Sequence, residues 1–442
     1  MNTTTRIYIW SLIVALGGFL FGFDTAVISG VEKSIQQLFD LSAWVHGFAI
    51  SSALIGTIIG AIFAGKPADR YGRRPLLFII AAGYLLSAAG TALAPNIVLF
   101  ILFRFLGGIA VGASSVVAPM YISEIAPAHV RGKATASFQL NVIIGILMAF
   151  VSNYLLRNSG ENAWRYMLAV LALPSALFFI GLFFVPESPR FLIKAGRKEK
   201  AASILEKIRT GDIKQEIAEI TKNLNEKDGR LFSRIYTKSI MIAFLVAMFN
   251  QFSGINAILY FAPRIFELSG LPESTAFFHP VIIGITNALF TLLGLMIVDK
   301  VGRRTLLIIG SAGMALCLFP VAILFFMHSP SGLLLVFLVG YILFFAASTG
   351  TVIWILISEV FPTGVRGNGQ SFGSFTHWFF AALITFFFPV ISSTYANGAA
   401  YIFTFFGIMM IIQLFTAWKY FPETKGKTIE EISHTLQTKR ES

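Results

Sequence analysis

Asp69-Arg70-Tyr71-Gly72-Arg73-Arg74 is followed, about 230 residues later, by Asp299-Lys300-Val301-Gly302-Arg303-Arg304, one charged loop written twice. Two further motifs return in the same order. Ser123-Glu124-Ile125-Ala126-Pro127, with Arg131-Gly132 behind it, recurs as Ser358-Glu359-Val360-Phe361-Pro362 with Arg366-Gly367, and Pro186-Glu187 recurs as Pro422-Glu423. Three motifs repeating in order at nearly one offset mark two related halves of the parallel kind, in which one half is related to the other about an axis along the membrane normal.

Outward from these loops the chain is apolar. It is 56% hydrophobic and only 13% charged, where a soluble domain carries about 25% charged residues. A membrane span needs about 20 mostly apolar residues. Runs of that kind centre near residues 18, 55, 83, 110, 143, 175, 250, 286, 315, 344, 380 and 409. The sequence therefore predicts an all-α membrane protein of twelve transmembrane helices in two six-helix halves, residues 1–185 and 236–421. Residues 186–235 are charged and helix-friendly and read as short amphipathic helices between the halves; residues 422–442 form a similar tail. Gly56, Gly60, Gly107, Gly108 and Gly112 lie inside spans, where small residues let helices approach closely. The first run, from about Ile7 to Ser29, is too long for a signal-peptide core and is expected to remain in the mature protein.

Orientation follows from the short loops. Those after spans 2, 4, 8 and 10 hold Lys66, Arg70, Arg73, Arg74, Arg131, Lys133, Lys300, Arg303, Arg304 and Arg366, whereas the opposite loops hold only Lys33, Arg157, Arg165 and Arg264. The richer side, with both termini and the 186–235 segment, is expected to be cytoplasmic. The net charge of +12 is thus topogenic, and nucleic acid is not an expected partner. A Walker-type phosphate loop, a His/Cys metal spacing and a nucleophile elbow are all missing from the sequence, which argues against ATP-driven transport, a metal site, a cofactor and an enzyme. The single cysteine, Cys317, excludes an intrachain disulfide.

Pro186-Glu187-Ser188-Pro189-Arg190, Pro422-Glu423-Thr424-Lys425-Gly426 and Gln251-Phe252-Ser253-Gly254-Ile255-Asn256, together with the repeated loop, resemble the sugar porters of the major facilitator superfamily. The resemblance covers nearly the whole chain and is nearest to bacterial proton–sugar symporters. It implies the major facilitator fold and transport by alternating access, with a sugar bound near the bilayer midplane between halves that rock around it.

Asp24 and Arg104 are charges sunk in the apolar runs of spans 1 and 4. An ionisable group at that depth is costly and presumed functional, with a structural ion pair as the bland alternative. In the family the matching Asp and Arg belong to proton symporters, and facilitative glucose carriers have Asn where Asp24 stands, so the pair implies proton coupling. A sugar offers hydroxyls and no charge, so its site needs amides and an aromatic face. Gln139, Gln251, Asn256 and Asn287 match the family's hydrogen-bonding positions; Phe21, Trp354 and Trp378 match its aromatic positions, and Tyr260 an outer gate. Isolated amides also stitch helices together, a reading that weakens as such residues accumulate in register. Asn250 stands where relatives often have a second glutamine, and His377 where an Asn or Gln is usual; both are taken as substrate-binding. Thr349-Gly350-Thr351 replaces the usual Trp-Gly-Pro, and Ile146 replaces a glutamine of the xylose symporter, which points toward a hexose rather than a pentose.

In the family the cytoplasmic charges Asp69, Arg70, Arg73 and Arg74 pair with partners such as Glu124, Arg131, Glu187 and Arg190, and Asp299, Arg303, Arg304, Glu359, Arg366 and Glu423 repeat the set. Beyond topogenic charge, they are expected to gate the inner mouth. The resulting expectation is a proton-coupled monosaccharide importer of the cytoplasmic membrane, with sugar, protons and lipid as partners and a monomer as the working unit. The alternatives are an uncoupled sugar facilitator and a sugar sensor of the same fold; the short tails argue against the sensor.

Overall fold

The computed structural model describes residues 3–209, 212–224, 231–328 and 332–438. Twelve described helices are long and apolar enough to cross a membrane: Thr5–Gly30, Ala43–Phe63, Arg73–Leu93, Ile97–Ile125, Ala134–Leu156, Ala163–Phe184, Arg234–Tyr260, His279–Val301, Arg303–Phe326, Leu333–Glu359, Arg366–Thr394 and Gly398–Tyr420, taken below as spans 1 to 12. No strand occurs among the described residues. The protein is a multi-pass all-α membrane protein. In hydrocarbon no water satisfies a free N–H or C=O, and the α-helix closes every backbone bond within one segment.

Between spans 6 and 7 the charged stretch forms three short helices, Pro189–Lys194, Lys198–Ile208 and Ile213–Leu224. Ser188 caps the first, its hydroxyl accepting from the Phe191 N–H at 3.3 Å, with Pro189 in the first turn, where its missing N–H costs nothing. Phe191, Leu192, Ile193 and Ala201 form a small core under these helices, and Ile204, Ile217 and Ile220 pack on it.

The backbone contacts divide the chain into two compact units. The first comprises Met1–Val27, Ser52–Ser152 and Asn158–Lys227. Within it spans 2 and 4 meet through glycines: a methyl group on Gly108 would run into the backbone of Ala53, and one on Gly112 into that of Thr57. On span 1, Gly22 lies equally close to the Val142 backbone of span 5. Such backbone-to-backbone approach substitutes dispersion contacts for the hydrophobic drive that lipid does not supply.

The second unit comprises Ile28–Ser51, Asn153–Arg157 and Asp228–Ser442. The segment that closes span 1 and opens span 2 thus packs with spans 7 to 12: Gly47 abuts the Phe386 backbone, and Trp44 lies against Phe386 and Phe387 at 5.8 and 6.2 Å between ring centroids. Two spans of this unit are interrupted, although their sequences read as continuous apolar runs. Span 7 breaks at Gly254, whose φ of +91° suits only glycine without strain. Span 10 ends its first helix at Ala347 and restarts at Thr349, with Ser348 at the joint.

Overpacking a tight contact costs about 1–3 kcal/mol. Gly108→Val should therefore lower the unfolding temperature of the detergent-solubilised protein clearly, whereas Gly367→Ala, which meets nothing within 4 Å, should leave it unchanged. Equal midpoints for Gly108→Val and parent would contradict the packing described.

Candidate functional site

Asp24 and Arg104 meet inside the first unit, Arg104 Nη1 donating to Asp24 Oδ1 at 2.6 Å. Both are buried, Asp24 3% and Arg104 1% exposed. This one bond leaves Arg104 Nε and Nη2 without a hydrogen-bond partner among the described residues. Tyr84 stands close by, its hydroxyl donating to the Gly17 carbonyl of span 1 at 3.4 Å.

In the second unit the break at Gly254 is surrounded by uncharged polar groups. Gln251 Nε2 donates to Asn250 Oδ1 at 3.0 Å, and its Oε1 accepts from Asn256 Nδ2 at 2.8 Å. The same Nε2 lies 3.2 and 3.1 Å from the two ring nitrogens of His377 on span 11, only one of which can accept in a given tautomer. Asn250 Nδ2 donates to the Thr349 carbonyl at 3.3 Å and so ties the break in span 7 to the break in span 10. Tyr341 donates to the Ser253 hydroxyl at 3.1 Å, another tie between those spans. Interrupted helices lining polar groups are the membrane-protein way of presenting backbone and amides to a substrate.

Aromatic rings flank this network. His377 lies 5.0 Å from the Trp354 ring and 4.7 Å, edge-on, from Trp378, centroid to centroid. Tyr260, six residues after Gly254 on the second piece of span 7, and Asn287 on span 8 are both buried. The structure thus brings Asn250, Gln251, Asn256, His377, Trp354 and Trp378 together in the second unit. Gln139 and Phe21 are half-buried on spans 5 and 1 of the first.

The repeated loops build the same clamp in each unit. Arg73 grips Glu124 with two bonds, Nε to Oε2 at 3.0 Å and Nη2 to Oε1 at 2.9 Å, and its Nη1 reaches the Ala68 carbonyl. Arg303 Nη2 grips Glu359 Oε1 at 2.9 Å, and its Nη1 reaches the Val298 carbonyl. The i,i+4 acids Asp69 and Asp299 lie 3.1 and 2.9 Å from the same guanidinium groups. Glu187 accepts from the backbone N–H groups of Arg73, Arg74 and Ser188; Glu423 accepts from those of Arg303, Arg304, Thr424 and Lys425. The geometry of Gly72 (φ +105°) and Gly302 (φ +100°) explains why both copies carry glycine there: each turns the chain, and each leaves the space a side chain would take to a carboxylate, that of Glu187 or Glu423. Arg74 and Arg304 reach back to the carbonyls of Leu182 and Phe183, and of Ala417 and Trp418.

Three participants escaped the sequence reading. Ser188 donates to Glu124 and Thr424 to Glu359, each being the hydroxyl residue that directly follows a repeated glutamate. That shared position was visible in Pro-Glu-Ser and Pro-Glu-Thr. Lys194, 2.9 Å from Asp69, had no such signal. Arg70 lies over the Tyr71 ring and Arg190 is exposed. Arg366 starts span 11, and the side chain of Arg131 lies outside the described residues. Each clamp is built from residues of its own unit alone.

The family described as Sugar (and other) transporter matches residues 10–436. The D-xylose-proton symporter of Escherichia coli (strain K12) is 36% identical over 476 residues, covering 98% of this chain and 96% of that protein. The glucose transport protein of Synechocystis sp. is 35% identical, covering 95% of each. Among solved structures, the inward open conformation of the Escherichia coli xylose transporter superposes with a TM-score of 0.87 at 35% identity, covering 97% of this chain and 99% of that one.

Breaking a buried ion pair costs about 3–5 kcal/mol, because the partner is left charged and alone. Arg73→Ala should accordingly lower thermal stability far more than Arg70→Ala; equal losses would contradict the clamp. Burial holds the Glu187 carboxyl above the ordinary carboxylate range, partly offset by the N–H groups of Ser188, Arg74 and Arg73 and by the Arg73 charge. A carboxyl raised in the folded state contributes stability that is complete below its unfolded pKa and is lost as pH rises through the folded value. As pH rises from about 4, the ordinary carboxylate range, the parent should lose more stability than Glu187→Gln, and parallel curves would refute this.

Proposed function

The chain belongs to the Sugar (and other) transporter family, a family of carriers and not of enzymes, and on that premise we propose that it moves a monosaccharide together with a proton by alternating access. The observation that carries the sugar reading is the uncharged chain Asn250–Gln251–Asn256, tied to His377 and walled by Trp354 and Trp378. Amides both donate and accept, so they exchange partners with sugar hydroxyls without leaving a charge buried. The indoles offer flat apolar faces to the ring's C–H surface. Tyr260 and Asn287 extend the same set, and Gln139 and Phe21 add an amide and a ring from the first unit.

Proton coupling is supported by Asp24, an ionisable group in mid-span that pairs with an equally buried guanidinium. Proton uptake at such a carboxylate changes the charge balance of the pair and so favours one conformation over another. A facilitator of sugar alone has no use for this charge. A relative named as a D-xylose-proton symporter supports the symport reading. For the sugar itself, we favour a hexose: Ile146, buried on span 5, offers no hydrogen bond where the xylose symporter has a glutamine, and the similar glucose transport protein accords with that choice. The two clamps are proposed to steady the inner ends of the spans through the cycle. The proposed setting is the cell membrane, with both termini on the cytoplasmic side and the monomer as the working unit.

Radiolabelled hexoses, pentoses and polyols presented to proteoliposomes, with and without an imposed pH gradient, test this reading. Uptake of a hexose enhanced by the gradient is expected, and transport of none of the panel would overturn it. A lost hydrogen bond to a buried hydroxyl costs about 1–3 kcal/mol, so Gln251→Ala should weaken binding of the transported sugar roughly tenfold or more in calorimetry. Unchanged affinity in a folded variant would remove Gln251 from the site.

A further inference from the structure

A further carboxylate, apart from Asp24 and the clamp residue Glu124, is almost wholly enclosed. Glu32, 1% exposed, sits at the start of the short helix Glu32–Leu38 that follows span 1, in the part of the second unit formed by residues 28–51. Its two oxygens face different elements. Oε1 accepts from Arg264 Nε at 2.8 Å, in the helix Ala262–Leu268 that continues span 7. Oε2 lies 3.0 Å from Nε2 of His46, which is fully buried in the first turn of span 2. That nitrogen also lies 3.1 Å from the Glu32 carbonyl, and its hydrogen bond goes there. Glu32 Oε2 and His46 Nδ1 consequently have no hydrogen-bond partner among the described residues. Around this core Arg264 Nη2 reaches Gln36, and Lys33 pairs with Glu267 at 2.7 Å. The His46 ring rests edge-on against Phe261, which itself stacks on Phe388 of span 11.

These groups include no residue of the proposed sugar or proton site. Their chemistry is that of a fastener. Glu32 holds three elements at once, its carboxylate bonded to the Arg264 guanidinium and its carbonyl to the His46 imidazole, and moving any one of them breaks at least one of these bonds. The unfilled positions on Oε2 and Nδ1 keep the set short of full satisfaction, a condition suited to release.

We propose that Glu32, His46 and Arg264 form a latch tying residues 28–46 to residues 262–268, and that this latch opens during each transport cycle. The proposal rests on the alternating-access reading for its purpose. Its readout needs no substrate.

The test uses the full-length chain, purified in detergent, with Cys317→Ser and a reporter Ile35→Cys at a buried position of the Glu32–Leu38 helix. The rate of reaction with a soluble maleimide is compared among the reporter parent and the added changes Glu32→Ala, Arg264→Ala, both together, and Lys33→Ala. A latch predicts that each of the first two raises the rate about tenfold or more, and that the double variant is no faster than either, because one interaction is lost in all three. Lys33, in the partly exposed pair, should matter little. Glu32→Gln and Arg264→Gln, which keep size and remove charge, replace any alanine variant that does not elute as a single species. Parent-like rates in the Glu32 and Arg264 variants, or equal acceleration by Lys33→Ala, would overturn the latch. Absence of sugar uptake in the preceding experiment would overturn the transport reading and leave these rates interpretable.

Discussion

The bond between Arg104 and Asp24 is the constraint around which the first unit is organised. Two charges taken out of water lose several kcal/mol of hydration each, and their attraction repays this only when they are in contact and well hydrogen-bonded. Contact is met at 2.6 Å, but only one of the guanidinium nitrogens takes part. Apolar side chains would fill the space at lower cost, so stability alone does not account for the pair. What a buried pair supplies, and a pair of leucines does not, is a carboxylate whose proton affinity depends on where the guanidinium stands. On the proposed reading, spans 1 and 4 hold that relation while remaining able to change it. Close packing through Gly17, which faces Ser114, fixes their approach.

The two clamps illustrate the same electrostatics under different solvation. An exposed pair such as Lys194–Asp69 is worth about 0–1 kcal/mol, whereas Arg73 and Glu124 are both nearly enclosed. Each clamp joins a loop, the end of one span and the stretch following another through one arginine, two glutamates and a hydroxyl. The two halves share the device, down to the glycine that makes room for a carboxylate.

Much of this was legible before any coordinates. Twelve spans follow from the apolar runs because hydrocarbon leaves the backbone no alternative to the helix, and Asp24 and Arg104 stand out because charge is scarce there. The polar set around Gln251 was legible as residue types, but its hydrogen bonds were not. They depend on the breaks at Gly254 and Ser348, and an apolar run reads alike whether its helix is whole or interrupted. The placement of residues 28–51 with spans 7 to 12 was also hidden. Lys33 and Arg264 count in the sequence merely as loop cations; only folding reveals that Arg264 answers a buried glutamate 232 positions away along the chain.

The central claim is that Asp24 carries the proton, and Asp24→Asn tests it most directly, since an amide has nearly the shape of a protonated carboxyl and imitates the permanently loaded carrier. Reconstituted in proteoliposomes, the variant should still bind sugar and exchange internal for external sugar, yet fail to accumulate it under an imposed pH gradient. A proton crossing about 100 mV supplies about 2.3 kcal/mol, enough for the parent to concentrate sugar severalfold. If Asp24→Asn concentrated sugar to the same extent as the parent, the proton would have to bind elsewhere, and the account given for the Asp24–Arg104 pair would be wrong.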